Sequence, residues 1–326
     1  MIDLEKLKQE AAKKPVSPTD VYGKEFLDEC VKESTIDRHT HYKGDKFILT
    51  FDEDHDKYAP VMSLCNLSTT IGPAKSKKTF FSTMIACAFC DGHKYGMRGD
   101  LDGRKLLYID TEQGHGHVQK ILKRVWNIAA TDKRIDIFAL RKFYEQRLRL
   151  ALVEHILNVS KQAYSIVIID GIVDLMKNYN DLTEAQELVG KLMSWTELFN
   201  CHINCVVHMA KSSGYARGHI GTELMNKSET VFKLVPEETS SVVECLYCRN
   251  RPFTKFDFMI NESAFPVRLT YPFESDNAFE EAHIGTKEPE ITPKYTQSGV
   301  DYRYEKDSGL NDAENDFLNQ RDDEPF

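Results

Sequence analysis

No apolar run in these 326 residues is long enough to cross a bilayer, which takes about 20 residues. The opening, MIDLEKLKQEAAKK, has no apolar stretch of the signal-peptide kind, so a cytoplasmic location is expected. A disulfide framework is also missing: the eight cysteines are scattered through apolar segments and read as reduced core residues. Zinc-ribbon geometry is absent as well. Cys87 and Cys90 are three apart on a stretch that reads as buried helix. Cys245 and Cys248 are three apart on a strand, where such neighbours point to opposite faces.

Excess positive charge is lacking too, but its distribution is uneven. The formal net charge is −9; Tyr271 to Phe326 holds fifteen acidic and five basic residues, a net −10, which leaves residues 1–270 at +1. The acidity belongs to the tail. A near-neutral body can still carry local basic loops for a phosphate backbone.

The length suits one sizeable core with appendages. Residues 1–45 are polar and charged, with helical composition at first. Residues 46–272 carry the core-forming patterns. Residues 273–326 are rich in Pro, Glu and Asp, and are expected to be largely disordered. Within the body, FILTF, LSTTI, LLYID, IDIFAL, SIVIID and INCVVH read as strands. Helical patterns lie between them over Phe80–Cys90, Val118–Ala129, Arg147–Gln162 and Glu184–Asn200. This alternation predicts an α/β fold, a mostly parallel sheet covered on both faces, and VVECLYC and KFDFMIN are expected to close one edge as strands.

Chemistry concentrates first at Gly72-Pro73-Ala74-Lys75-Ser76-Lys77-Lys78-Thr79, between a strand and a helix. A loop so placed aims backbone N–H groups and the helix dipole at an anion. Lys78 would reach the β- and γ-phosphates of ATP, and the Thr79 hydroxyl would ligate Mg²⁺. Lys77 stands where this motif usually has Gly, and a side chain there is expected to strain the turn. Asp170 ends SIVIID, where a carboxylate can hold the Mg²⁺ water shell. Glu112 follows LLYID and is placed to polarise an attacking water, whereas Asp110 belongs to the strand. His208 ends INCVVH as a neutral polar group in reach of a γ-phosphate. His115 and His117, flanked by glycines, read as loop residues near the nucleotide.

The order of these pieces over Leu64–Leu269 resembles the RecA-like hexameric replicative helicases, of the DnaB type and the small plasmid RepA type. HMAKSSGYARGHIGTELMNKSETVFKLV is similar to their block of sensor His, loop and Arg-Gly-Ser-like turn, here His208, Ala210–Ala216 and Arg217-Gly218-His219. CRNRPFTKFDFMIN is similar to their closing β-hairpin. The resemblance implies a RecA-like P-loop NTPase fold and a hexameric ring hydrolysing ATP as it moves on single-stranded DNA. It also implies an arginine reaching a neighbour's nucleotide: Arg251, with Arg249 beside it and Arg217 as the rival. An arginine in that role stabilises charge that develops on the transferred phosphoryl group. Lys211 and Tyr215 in one loop, and Lys177 in another, offer phosphate donors and a stacking ring for DNA. The alternatives are a regulatory or recombinase-like DNA-binding ATPase, and a nucleotide-binding adaptor without turnover. The ending Asp322-Asp323-Glu324-Pro325-Phe326 looks like the acidic tip of bacterial single-stranded-DNA-binding proteins. It could dock a replication partner or serve as a solubilising tail. A replication helicase or helicase loader of a plasmid or other mobile element is the resulting expectation.

Overall fold

The structure, a computed structural model, describes residues 22–39, 46–53, 57–131, 133–209, 216–269, 294–296 and 299–301. The chain divides into two compact units, 1–274 and 275–326. In the second, the described elements are two short paired strands, Lys294–Thr296 and Gly299–Asp301.

In the first unit, helix α1 (Lys24–Ser34) buries none of its residues. The body follows: β1 (Phe47–Glu53), β2 (Lys57–Ser63), β3 (Leu67–Gly72), α2 (Lys78–Asp91), β4 (His93–Lys94), β5 (Met97–Gly99), β6 (Lys105–Asp110), α3 (His115–Ala129) and β7 (Ile135–Ala139). Next come α4 (Gln146–Ser160), β8 (Tyr164–Asp170), a 3₁₀ turn (Ile172–Leu175), α5 (Leu182–Leu198), β9 (His202–His208) and α6 (Gly218–Lys227). The last four strands are β10 (Thr230–Pro236), β11 (Ser240–Cys248), β12 (Phe256–Ile260) and β13 (Pro266–Arg268).

Nine strands form the main sheet in the order β13-β12-β11-β10-β3-β9-β8-β6-β7. The six from β10 to β7 are parallel, and β11, β12 and β13 extend the sheet as antiparallel hairpins. Strands β3 and β8 are buried at every position, as a central parallel strand must be when both faces are covered. One face packs α2 and α3 through residues such as Phe81, Met84, Ile121 and Val125. The other packs α4, α5 and α6 through Val153, Leu157, Leu192, Ile220 and Leu224. Both the α/β class and the parallel order match the expectation.

Two pieces were not anticipated. Strands β2, β1, β5 and β4 make a separate four-stranded antiparallel sheet packed on the α2 side. Pro60 disguises β2 as a non-strand; it is tolerated because β2 is the edge of that sheet. Strand β10, which the sequence disguises as part of an amphipathic run, pairs parallel with β3 beside the phosphate loop. Among the described residues no helix is long and apolar enough to cross a membrane.

Candidate functional site: a phosphate loop and a row of strand-end side chains

Register brings the predicted site residues to one edge of the sheet. Gly72 is the partner of His208 across β3 and β9, and Asp110 is the partner of Asp170 across β6 and β8. In a parallel sheet, partners at strand ends share the C-terminal edge, where open α/β folds hold ligands.

The loop after β3 turns on backbone that disfavours side chains: Lys75 has φ 66° and Lys77 has φ 62°. The left-handed region costs an L-residue roughly 1–2 kcal/mol. What holds Lys77 there is visible at its tip. Lys77 Nζ donates to the Ser240 carbonyl at 2.6 Å and lies 3.4 Å from Ser241 Oγ. The Ser241 hydroxyl in turn donates to the Ser76 carbonyl at 3.2 Å. The strain expected at this position is present, and the start of β11 offsets it. Gly72 is required for space: a Cβ there would collide with the Ser76 hydroxyl. That hydroxyl is buried and has no hydrogen-bond partner.

Lys78 opens α2 as a buried residue. Its ammonium donates to the carbonyls of Gly72 at 3.0 Å and Pro73 at 2.8 Å, and reaches His208 Nδ1 at 3.2 Å. Burial lowers its pKa, opposed by the charges of Asp170 and Glu112. On the far side of the ring, His208 Nε2 lies 3.3 Å from Glu112 Oε1. A neutral imidazole protonated on Nε2 satisfies both contacts, accepting from Lys78 and donating to Glu112. The hydrogen bond from His208 holds the Glu112 carboxyl below its usual range, against the effect of burial. Glu112 is therefore an ionised acceptor with one oxygen engaged.

The second cluster is Thr79, Tyr108 and Asp170. Asp170 Oδ2 accepts from Thr79 Oγ1 and from the Tyr108 hydroxyl, each at 2.8 Å. Burial raises the Asp170 pKa while those two hydrogen bonds lower it. A hydroxyl and a carboxylate side by side beside a phosphate loop are hard oxygen donors of the kind Mg²⁺ takes alongside phosphate and water. The pair fits that ion, with Thr79 and Asp170 as its holders.

Asp110 is the last residue of β6, as expected. Its Oδ1 accepts from the backbone N–H groups of Glu112 at 2.9 Å and Gln113 at 2.6 Å, which sets the turn that presents Glu112. Its other oxygen is buried without a partner, and burial pushes its pKa up to about 6. Gly171, at φ 100°, allows the chain to leave β8 against this turn; a Cβ there would collide with Thr111 Oγ1.

Lys78, Thr79, Glu112, Asp170, Gly171 and His208 line a cavity of about 410 Å³. His117, expected near the nucleotide, does line it, together with two residues of α3 missed from sequence, Lys120 and Arg124. His115 and His117 are in the first turn of α3, not in a loop, because Gly114 caps the helix directly after the Asp110 turn. The spacing 117-120-124 on an amphipathic helix was the available signal.

Arg217, Arg249 and Arg251 do not line this cavity. Arg217 caps α6, its guanidinium stacked 4.3 Å over the Tyr179 ring and hydrogen-bonded to the Tyr179 hydroxyl. Arg249 sits at the opposite edge of the sheet: its N–H donates to Glu229, whose own N–H donates to Leu67 at the start of β3. Arg251 is exposed two residues further on. Lys177 is exposed in the turn after β8, whose N–H groups at 177 and 178 are held by Glu184. Lys211, Tyr215 and residues 322–326 lie outside the described residues.

Cys87 and Cys90 are buried core residues of α2, as expected. Cys245 and Cys248 are different. Partners shift from Val231–Tyr247 to Phe232–Cys245, a β-bulge that gives β11 one extra residue. Strand parity is reset there. Both sulfurs therefore stand on one face, contrary to the expectation of opposite faces. The view of the cysteines as uniformly core also needs correction: Cys30 is exposed, and Cys65, Cys245 and Cys248 are half-buried. Among the described residues no group of three or more His, Cys, Asp or Glu side chains is placed to hold a metal.

No curated protein matches the chain. Residues 54–214, which contain the phosphate loop, Glu112, Asp170 and His208, match the family model described as an AAA domain, and this match supports a nucleotide-hydrolysing P-loop ATPase domain over that span.

Proposed function

We propose that this protein is a Mg-ATP-dependent DNA motor, a replicative-type helicase that acts as a ring on single-stranded DNA. The observation that carries the ATPase part is the continuous contact Lys78–His208–Glu112 beside the Thr79–Asp170 pair. Lys78 and the loop Gly72–Thr79 bind the phosphates. Glu112 orients and polarises the attacking water, and His208 couples the occupancy of the phosphate site to the position of that carboxylate. Thr79 and Asp170 would hold Mg²⁺, which would supply neutralisation of the phosphate charge.

Two observations support the motor part. Arg249 and Arg251 are too far along β11 to serve their own site, which suits an arginine acting on a neighbouring protomer's nucleotide. Met209 and Ala216 pair next to the Tyr179–Arg217 stack, which brings the described ends of the segment after β9 beside the turn after β8. Such a paired arrangement suits a strand running past the nucleotide edge, with Lys177, Lys211 and Tyr215 as its contacts.

One observation favours the non-hydrolysing adaptor instead: Lys77 occupies the left-handed position of the loop. Steady-state ATP hydrolysis with and without single-stranded DNA, for the wild type and Glu112→Gln, separates the readings. DNA-stimulated turnover lost in the variant supports the motor. Tight ATP binding without turnover in any condition refutes it.

A further inference from the structure

The two half-buried thiols of β11 take no part in the nucleotide site. Leu246 packs with the α4–α6 face, whereas Cys245 packs with the α2 face of the sheet. Cys248 is the partner of Thr230, and its sulfur lies 3.5 Å from the Thr230 hydroxyl. The bulge spends one residue, so three sequence positions become two strand positions. Two positions span about 6.8 Å between Cα atoms, the upper limit that a disulfide bridges.

We propose that Cys245 and Cys248 form a reversible dithiol–disulfide pair that takes low-molecular-weight disulfides as its oxidant. The Cys248 thiolate attacks one sulfur of the small disulfide RSSR, forming a mixed disulfide and expelling RS⁻. The Cys245 thiolate then attacks the Cys248 sulfur and expels the second RS⁻. The two protons lost by the cysteines end on the two RSH released, so one disulfide is reduced as one is formed. The order of attack follows from the proximity of the pair: Cys245, whose thiol donates to the Tyr247 carbonyl 3.6 Å away, pulls the Cys248 pKa down, and Cys248 pushes that of Cys245 up. The lower-pKa thiol is the nucleophile. Closing the ring shortens the bulge and replaces the contact of the Cys248 sulfur with the Arg251 carbonyl, 3.6 Å away.

The test uses the full chain in buffers of increasing glutathione disulfide, quenched by alkylation and read by peptide mass spectrometry. The peptide holding Cys245 and Cys248 is expected to lose two hydrogens while Cys87, Cys90, Cys201 and Cys205 stay alkylatable after denaturation. In Cys245→Ser, Cys248 is expected to stop at the mixed disulfide with glutathione. In Cys248→Ser, Cys245 is expected to remain a thiol. The proposal is overturned if exposed Cys30 is glutathionylated while the pair stays reduced, or if the wild type accumulates only mixed disulfides at either position.

Discussion

Replacing Lys77 separates two opposing contributions in the phosphate loop. At φ 62° any residue with a Cβ bears a left-handed cost of roughly 1–2 kcal/mol. Against this, the Lys77 ammonium donates to the Ser240 carbonyl at 2.6 Å, a charge-assisted bond at a half-buried site contributing about 1 kcal/mol. Lys77→Ala keeps the strain and loses the bond. Lys77→Gly loses both, and glycine's extra freedom in the unfolded chain takes back part of the gain. The expected order is therefore wild type close to Lys77→Gly, with Lys77→Ala about 1 kcal/mol below both. For a domain of this size that is about 2–4 °C in Tm. Thermal unfolding of the three proteins at one pH and salt concentration checks it. If Lys77→Ala is as stable as Lys77→Gly, the left-handed strain is not borne in solution and the reasoning fails.

Other outcomes follow from the same geometry. Glu112→Gln should retain ATP binding and lose turnover by roughly 10²-fold or more, measured by hydrolysis and by nucleotide titration. Gly171→Ala forces a Cβ into Thr111 and towards the Glu112 side chain. It should cost about 1–3 kcal/mol and also depress turnover; normal turnover would show that the Glu112 turn tolerates the shift. Mixing Arg251→Ala with Glu112→Gln protein should restore part of the hydrolysis if Arg251 serves a neighbour's site, and none if it does not. Glu229, buried and hydrogen-bonded to Ser63, has its pKa raised by burial from 4.5 to about 7. Its folded-state value is the higher one, so the folded protein holds this proton longer. The associated stability is complete below pH 4.5 and lost as pH rises through 7, by about 3 kcal/mol at 1.36 kcal/mol per unit. Denaturant unfolding across that window should show Glu229→Gln gaining on the wild type as pH rises; a constant difference would refute it.

The core elements were legible because their signals are local. SIVIID is an apolar run too short for a helix that ends at Asp170 on the ligand edge, and LSTTI is a β-branched run that ends directly at the Gly72-Pro73 turn. Glu112, Asp170 and His208 could be chosen because strand ends in a parallel sheet share one edge. What stayed hidden depends on pairing. Pro60 is unreadable as a strand residue until β2 is known to be an edge. The shared face of Cys245 and Cys248 requires a bulge that only the partner strand β10 reveals. The spacing 117-120-124 puts His117, Lys120 and Arg124 on one face of α3, but that this face meets the cavity depends on how α3 crosses it. Asp110 was legible as a strand residue, but its two backbone hydrogen bonds, which present Glu112, appear only once the turn is formed.

Strand β11 has a mechanical consequence. Its first residues are tied to the phosphate loop twice, through Lys77 to Ser240 and through Ser241 to Ser76. Its last lead directly into Arg249 and Arg251 at the opposite edge. Nine residues of extended chain make a rod of about 30 Å, paired with β10 from Ser241 to Cys248 and with β12 over Ser240–Val243. Over Ser240–Val243, where it is paired on both sides, the rod resists bending, and the bulge at Cys245–Tyr247 is the one place along it that can give. A change in the loop's turn is delivered to the far edge as a displacement of the strand, less what the bulge absorbs, and a contact made at the far edge presses back on the loop. The lysine that strains the turn is also the pin that joins the two ends.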